Sequence, residues 1–494
     1  MRYQLALDQS TSSTKVLIYN RSGAMLDQES IKHRQIYPAP GWVEHDVEEI
    51  WQNLKKAIQI LLQRNPEIIE SIDFVSITNQ RETFVLFEKI TGKPVHNALV
   101  WMCTRSESIC RELKATPEGD LIKSVTGLEI DPYFSATKLK WLLDNKPELK
   151  AKVLSGEVLF GTMDTYLIYR MTQGSIYSTD HTNASRTMLY NIETRSWDEE
   201  VCRIFGIPVE RLPRILDCNA SYGPTTFDGV LDSPLSIFGV MGDSQAALFA
   251  QRCFEVGSSK VTLGTGSSLL YNIGGKSIRS ENGIVTTLAS VINGVPTYSF
   301  EGVIRFSSGT MDWLKDQLHL FEDIMEAETL ADSIQDTDGV YLVPAFSGLG
   351  APHWVAEARA AVVGLTTQSD HKHIIRAGFE AMAYQVKDVL NLLESESKQS
   401  CGTLNIDGGP SSSPFLMQML ADILQKPIHV SLTRNCSASG AMLAGMLGAG
   451  IYHSTKDLQN IPSPHDLYEP VADAETITRK YEGWKKAVLS VTRI

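Results

Sequence analysis

Two stretches about half a chain apart repeat one pattern. Residues 3–18 (YQLALDQSTSSTKVLI) and 259–273 (SKVTLGTGSSLLYNI) each run from an apolar segment through a tight loop of Gly, Ser and Thr into a second apolar segment. The pattern predicts β-hairpins whose loops are crowded with hydroxyls and backbone N–H groups, the donors that surround phosphate oxygens. Two of them in one chain imply a duplicated fold with both loops facing a shared cleft, an arrangement suited to a nucleotide. Asp8 ends the first apolar segment, where a carboxylate can anchor Mg2+ through water, since this ion takes one or two carboxylates and keeps several waters. The plainer role for Asp8 is to cap the turn.

A chain of 494 residues exceeds the size at which a single core stops growing, so two domains are expected. Apolar runs that read as strands (residues 74–78 and 99–102) alternate with stretches that read as helices (109–113 and 138–143), which predicts α/β architecture. Near Ile237 the segment IFGVMGD reads as a buried strand, and the residues from Ser244 open a helix with Asp243 or Ser244 as its cap. This places the domains at 1–240 and 241–494. No low-complexity linker separates them, so packed elements must form the hinge, and the cleft closes by hinge or shear motion.

Charge and cysteine usage narrow the partners. A net charge of −13 disfavours nucleic acid and anionic membranes. Seven cysteines with no CxxC pair indicate neither a disulfide framework nor a zinc site and fit a reducing cytoplasm. The opening MRYQLALDQ lacks the apolar core of a signal peptide. Residues 438–451 are apolar but too few to span a bilayer, and their Gly and Ala content suits a closely packed helix. The histidines show no metal-ligand spacing, and His371-Lys372-His373 reads as a solvated turn.

Neither standard nucleotide motif is present: there is no GxxxxGK[ST], and Gly264-Thr265-Gly266 is followed by Ser-Ser-Leu where a dinucleotide fingerprint needs its third Gly. The surviving reading is the two-hairpin phosphate clamp of the actin and sugar-kinase superfamily. Residues 37–46 (YPAPGWVEHD), 77–83 (ITNQRET), 131–134 (DPYF), 161–165 (GTMDT), 182–188 (TNASRTM) and 133–145 (YFSATKLKWLLDN) resemble the glycerol kinases of the FGGY carbohydrate kinase family. Residues 360–380 fit the second family signature except at Gly378, and the similarity runs from the first strand to residues 483–487.

The resemblance implies two RNase H-like domains around a central cleft and ATP-dependent phosphorylation of a polyol hydroxyl. It places the polyol against Arg81, Glu82, Trp101, Tyr133 and Asp243, with Ser244, Gln245 and Ser268 beside it. These residue types make chemical sense: Arg donates in a fork, carboxylates accept from hydroxyls, and Trp and Tyr form a flat wall for the carbon chain. Asp243 is the expected catalytic base, taking the proton of the attacking hydroxyl, and shares Mg2+ with Asp8. The nucleotide falls on Thr11, Ser12, Ser13 and Lys15 in the first loop, on Gly264, Thr265 and Gly266 in the second, and on Ser308, Asp312, Gly408, Gly409 and Ser413.

Several positions depart from the resembled pattern. Lys15 replaces a frequent Arg, Ser308 a Gly, Asp312 a Gln and Ser413 an Asn. Ser244 stands for a Gln, and Ser268 for the Phe that packs against glycerol. The last two changes widen the pocket and add polarity. Glycerol is therefore the first expectation, with a tetritol, a pentitol or a ketose as alternatives, and a non-catalytic actin-like sensor as the reading from another class. Residues 227–232 lack the Arg of the fructose bisphosphate loop of some relatives, and the region from Ser221 lacks the His phosphorylated in others. A homodimer or homotetramer is expected.

Overall fold

The computed structural model describes residues 2–280, 282–355 and 357–492. Both repeated stretches are antiparallel hairpins. Tyr3–Gln9 pairs with Ser13–Asn20, with Asp8 opposite Lys15, and Ser259–Leu263 pairs with Ser267–Gly274. In each half a third antiparallel strand flanks the hairpin, Met25–Lys32 in the first and Val295–Ile304 in the second. On the other side lie two parallel strands, Ile72–Asn79 and Leu235–Gly242 in the first sheet, Leu404–Gly408 and Ile428–Ser431 in the second. The same five-strand order twice over is the duplication anticipated from the hairpins, and it matches the RNase H-like unit that the resemblance implies. Tyr3–Gln9 is buried at almost every position because helices cover both faces of its sheet, which explains a near-continuous apolar run instead of alternation. The edge strand Met25–Lys32, wet on one side, alternates.

Leu235–Gly242 lies parallel to Ile72–Asn79 and so completes the first sheet; the chain leaves that sheet after Gly242, not within the strand. The helix Asp243–Ala250 follows. Its N-cap is Gly242 with no side-chain cap, and Asp243 is the first helical residue, its Oδ1 accepting the Ser244 N–H at 2.7 Å. That differs from the expected Asp or Ser cap and turns Asp243 toward other partners.

The two halves are packed into each other. The apolar segment read as a close-packed helix is Cys436–Gly448, which lies on the first sheet: Ala438, Met442 and Leu443 share a core with Ala6, Leu17, Phe74 and Met241. A Cβ on Gly440 would sit 1.8 Å from the Ala246 carbonyl oxygen, so this helix touches Asp243–Ala250 backbone to backbone. On the far side, the Thr286 N–H donates to Gly127 O at 2.9 Å and Tyr298 Oη to Ile192 O at 2.7 Å. These packed elements stand where a linker would otherwise be.

Two local expectations are corrected. His371 and His373 open the long helix His371–Ser397; Asp370 caps it, and the buried His373 completes the box by accepting the Asp370 N–H at 3.1 Å. Of residues 99–102, Leu99 alone is in a strand, Ala98–Leu99, and the chain then turns at Trp101. The seven cysteines are free and buried. Among the described residues no helix is long and apolar enough to cross a membrane.

Candidate active site

Two parallel strands of the first sheet end side by side and launch the central residues. Ile72–Asn79 runs into a turn carrying Arg81 and Glu82, the latter with φ +59°, and Leu235–Gly242 runs into Asp243. The short helix His181–Ala184, capped by Asp180, ties these ends together. Thr182 Oγ1 accepts the Gly242 N–H at 2.8 Å and donates to Asp180 Oδ2 at 2.7 Å, while the Asn183 and Asn79 amides donate to each other's oxygens at 3.1 and 2.9 Å.

Arg81 is buried with every nitrogen engaged. Nε lies 3.2 Å from Asp243 Oδ1; Nη1 donates to Gln245 Oε1 and Glu301 Oε2, each at 3.2 Å; Nη2 donates to Glu301 Oε1 at 2.8 Å and to Tyr133 Oη at 3.4 Å. Arg186, also buried, places Nε 2.6 Å from Glu82 Oε1 and Nη1 2.6 Å from Glu301 Oε2. Since Glu301 belongs to a strand of the second sheet, both arginines cross between the halves to reach it. Burial would raise the Glu301 carboxyl, but Arg186 and Arg81 hold it down at about 2. Glu82 goes the other way: burial raises it against the pull of Arg186 and of Arg81, 3.9 Å away, and the charge of Glu301 pushes it further up. Burial would also strip the Arg81 proton, yet Glu301, Glu82 and Asp243 keep it firmly charged.

Asp243 is the wet member of this group, its side chain 36% exposed against 4% for Arg81. With Oδ1 taken by Arg81 and the Ser244 N–H, Oδ2 is left for a hydroxyl. Trp101 and Tyr133 form the aromatic wall, ring centroids 5.4 Å apart at 71°. Trp101 Nε1 donates to Thr11 Oγ1 at 3.0 Å, which joins this wall to the first hairpin loop. Ser268 Oγ donates to Glu301 Oε1 at 3.1 Å. The structure therefore gathers Arg81, Glu82, Trp101, Tyr133, Asp243, Gln245 and Ser268; Ser244, half-buried, is next along the helix.

Both hairpins reach this cluster, the first through Thr11 on Trp101 and the second through Ser268 on Glu301. Asp8 is buried and Lys15 Nζ stands 3.5 Å from its Oδ2, held also by Asn435 Oδ1 at 3.1 Å. Burial pushes the Asp8 carboxyl up, Lys15 opposes, and the charge of Asp243 pushes it further, which puts the two carboxylates within electrostatic reach of each other. Of the first loop, Thr11 is half-buried, Ser12 exposed and Ser13 buried. In the second, Gly264 O accepts the Ser308 N–H and Thr265 O the Ser307 N–H, so the loop is stitched to the start of the helix Gly309–Asp316, where Asp312 is exposed. Gly408 pairs with Leu263 beside this loop; at φ +102°, and with a Cβ position 2.0 Å from Leu263 O, nothing larger fits. Gly409 follows it, exposed. Ser413 is buried as the cap of Pro414–Leu424, its Oγ accepting the Leu416 N–H at 3.0 Å.

Sequence reasoning gave no role to Glu301 or Arg186. The signal for Glu301 was a charged residue inside the apolar run SFEGVI, and for Arg186 a cation in TNASRTM. Among the described residues no three His, Cys, Asp or Glu converge as a metal site.

Two phosphate-type hairpins, a cleft and a carboxylate opposite an arginine define a phosphotransferase architecture. Residues 3–250 match the N-terminal domain and 259–449 the C-terminal domain of the FGGY family of carbohydrate kinases, and the chain belongs to that family. It is 42% identical over 489 residues to the glycerol kinase of Shewanella piezotolerans, covering 99% of each chain. To the glycerol kinase of Symbiobacterium thermophilum it is 44% identical over 486 residues, 98% of this chain and 97% of that one. A crystal structure of Plasmodium falciparum glycerol kinase with ADP matches with a TM-score of 0.94 at 35% identity, covering 99% of this chain and 98% of that chain.

Proposed function

We propose that this protein is an ATP-dependent kinase that transfers the γ-phosphoryl group to a hydroxyl of glycerol, giving glycerol 3-phosphate. The observation that carries the reading is Asp243, half-exposed at the mouth of a buried cationic cluster, with its Oδ1 fixed by Arg81 and its Oδ2 open. Asp243 accepts the proton of the attacking hydroxyl as the phosphoryl group passes in line. Glu82 accepts from one hydroxyl, another takes the place of Tyr133 Oη or Gln245 Oε1 on the Arg81 guanidinium, and Trp101 and Tyr133 shield the carbon face. The backbone N–H groups of the two hairpin loops, with Thr11, Ser12, Ser13 and Thr265, grip the phosphates. Gly408, Gly409, Ser308, Asp312 and Ser413 lie around the second hairpin, on the side assigned to the base and ribose.

The donor set fits Mg2+: Asp8 and Asp243 are two hard carboxylates facing one gap, with too few further ligands for a closed protein cage. Bound with ATP, the ion neutralises phosphate charge. Lys15 adds a point charge beside Asp8. The free buried cysteines suit a reducing cytoplasm, and assembly as a homodimer or homotetramer remains part of this reading.

Ser268 gives a longer polyol no added polar partner, although it leaves more room than an aromatic ring. Its hydroxyl is committed to Glu301, so the polarity added at that end of the pocket is satisfied within the protein. ADP release with glycerol, erythritol, threitol and pentitols tests this. Glycerol is expected to give the highest kcat/KM; a larger value for any longer polyol overturns the substrate assignment, and no polyol-dependent release overturns the kinase reading.

A further inference from the structure

Lys138 lies on the helix Ser135–Asn145 with no exposed surface. Its Nζ donates to three successive carbonyls, Pro132 O at 2.5 Å, Tyr133 O at 2.8 Å and Phe134 O at 2.9 Å. An ammonium has three protons, and backbone takes them all. No carboxylate among the described residues pairs with it, which makes the charge costly to bury. Burial accordingly drags its pKa from 10.5 to about 8, against the opposing pull of Glu82 from the Arg81 turn, Cys103, Cys110 from the helix Glu107–Lys114, and Asp131.

What this charge gathers is the turn that presents Tyr133. On the cleft side of that turn the Tyr133 hydroxyl accepts from Arg81, and its ring meets Trp101 and, at 5.3 Å and 90°, Phe134. Asp131 Oδ1 accepts the Tyr133 N–H at 2.9 Å. Resting on the reading of this cleft as a polyol site, we infer that Lys138 is a positioning residue: its ammonium fixes the backbone of residues 132–134 so that the Tyr133 ring closes the wall against the substrate's carbon chain.

Protonation makes the inference testable. A neutral amine keeps two N–H donors and turns a lone pair toward carbonyl oxygens, so the turn loosens and the polyol KM rises above about pH 8. Folding stability moves oppositely. The unfolded chain holds this proton up to 10.5 and the folded chain only to about 8, so the unfolded state binds more protons in that window and the contribution of Lys138 to stability rises with pH. A purely structural lysine would not worsen substrate binding while its fold grows firmer.

The experiment measures kcat, glycerol KM and ATP KM from about pH 6.5 to 9.5 in the wild-type protein and Lys138→Met. In the variant, glycerol KM is expected to be about tenfold higher, with kcat and ATP KM within about twofold of wild type. Wild-type glycerol KM should climb above about pH 8 and that of the variant stay flat. An unchanged glycerol KM in Lys138→Met, or a flat wild-type profile, overturns the inference. If the variant does not fold, the wild-type profile decides alone. Absence of glycerol-dependent ADP release from the wild type would instead overturn the kinase reading, so the two failures are distinguishable.

Discussion

Replacing Glu301 by Gln would leave the guanidiniums of Arg81 and Arg186 buried with one carboxylate fewer between them. Breaking a buried pair from one side is expected to cost about 3–5 kcal/mol, read from the midpoint of chemical denaturation. The pH dependence has a definite sign. The Glu301 pKa falls from 4.5 unfolded to about 2 folded, so its stabilisation is complete above 4.5 and disappears as pH falls toward 2; Glu301→Gln should flatten that acid limb. For Asp243→Asn the expected loss in kcat is at least about 10²-fold with folding intact, checked by turnover and circular dichroism together. Asp243 was legible in the sequence because it follows an apolar strand whose end must open onto something, whereas Arg81 and Glu82 were legible only through the resemblance of ITNQRET to a family motif. Glu301 was not: it sits inside its strand, and the cations that explain it lie more than a hundred residues earlier.

At the scale of elements, the helix pair Asp243–Ala250 and Cys436–Gly448 allows no spare volume. Gly440→Val would press a branched side chain onto the Ala246 carbonyl, a backbone group that has no rotamer to retreat into. The expected cost is about 1–3 kcal/mol, measured by denaturation, with a fall in kcat because Asp243 heads the displaced helix. The hairpins were readable because their apolar runs and loop chemistry are local. The start of His371–Ser397 was misread for a physical reason: its capping box is closed by His373 where Glu or Gln is the usual signature, so the stretch looked like a solvated turn. The role of the residues 180–183 was hidden likewise, since their partners Asn79 and Gly242 are distant in sequence.

Over the whole molecule, the duplication visible in two short segments foretold a duplicated fold, seen as one five-strand order shared by a six-stranded and a seven-stranded sheet. It did not foretell how far their cores merge. Ala438, Met442 and Leu443 complete the core beneath Ala6, Leu17 and Phe74, and Tyr190 and Ile192 of the first half join the large core of the second. Calorimetry is therefore expected to show one cooperative unfolding transition; two resolved transitions would contradict the merged core. A fragment of residues 2–250 should expose the apolar face that the helix Cys436–Gly448 covers and associate in solution, which size-exclusion chromatography reads directly.

That same helix also sets how the enzyme can be tuned. Its glycines meet the opposite wall with nothing between: Cβ positions at Gly440, Gly445 and Gly448 fall on the carbonyls of Ala246, Phe238 and Asn219, so the helix acts as a shim of fixed thickness. Thickening the shim by even one methyl would push Asp243 out of line with Arg81 while leaving the aromatic wall of Trp101 and Tyr133 where it is.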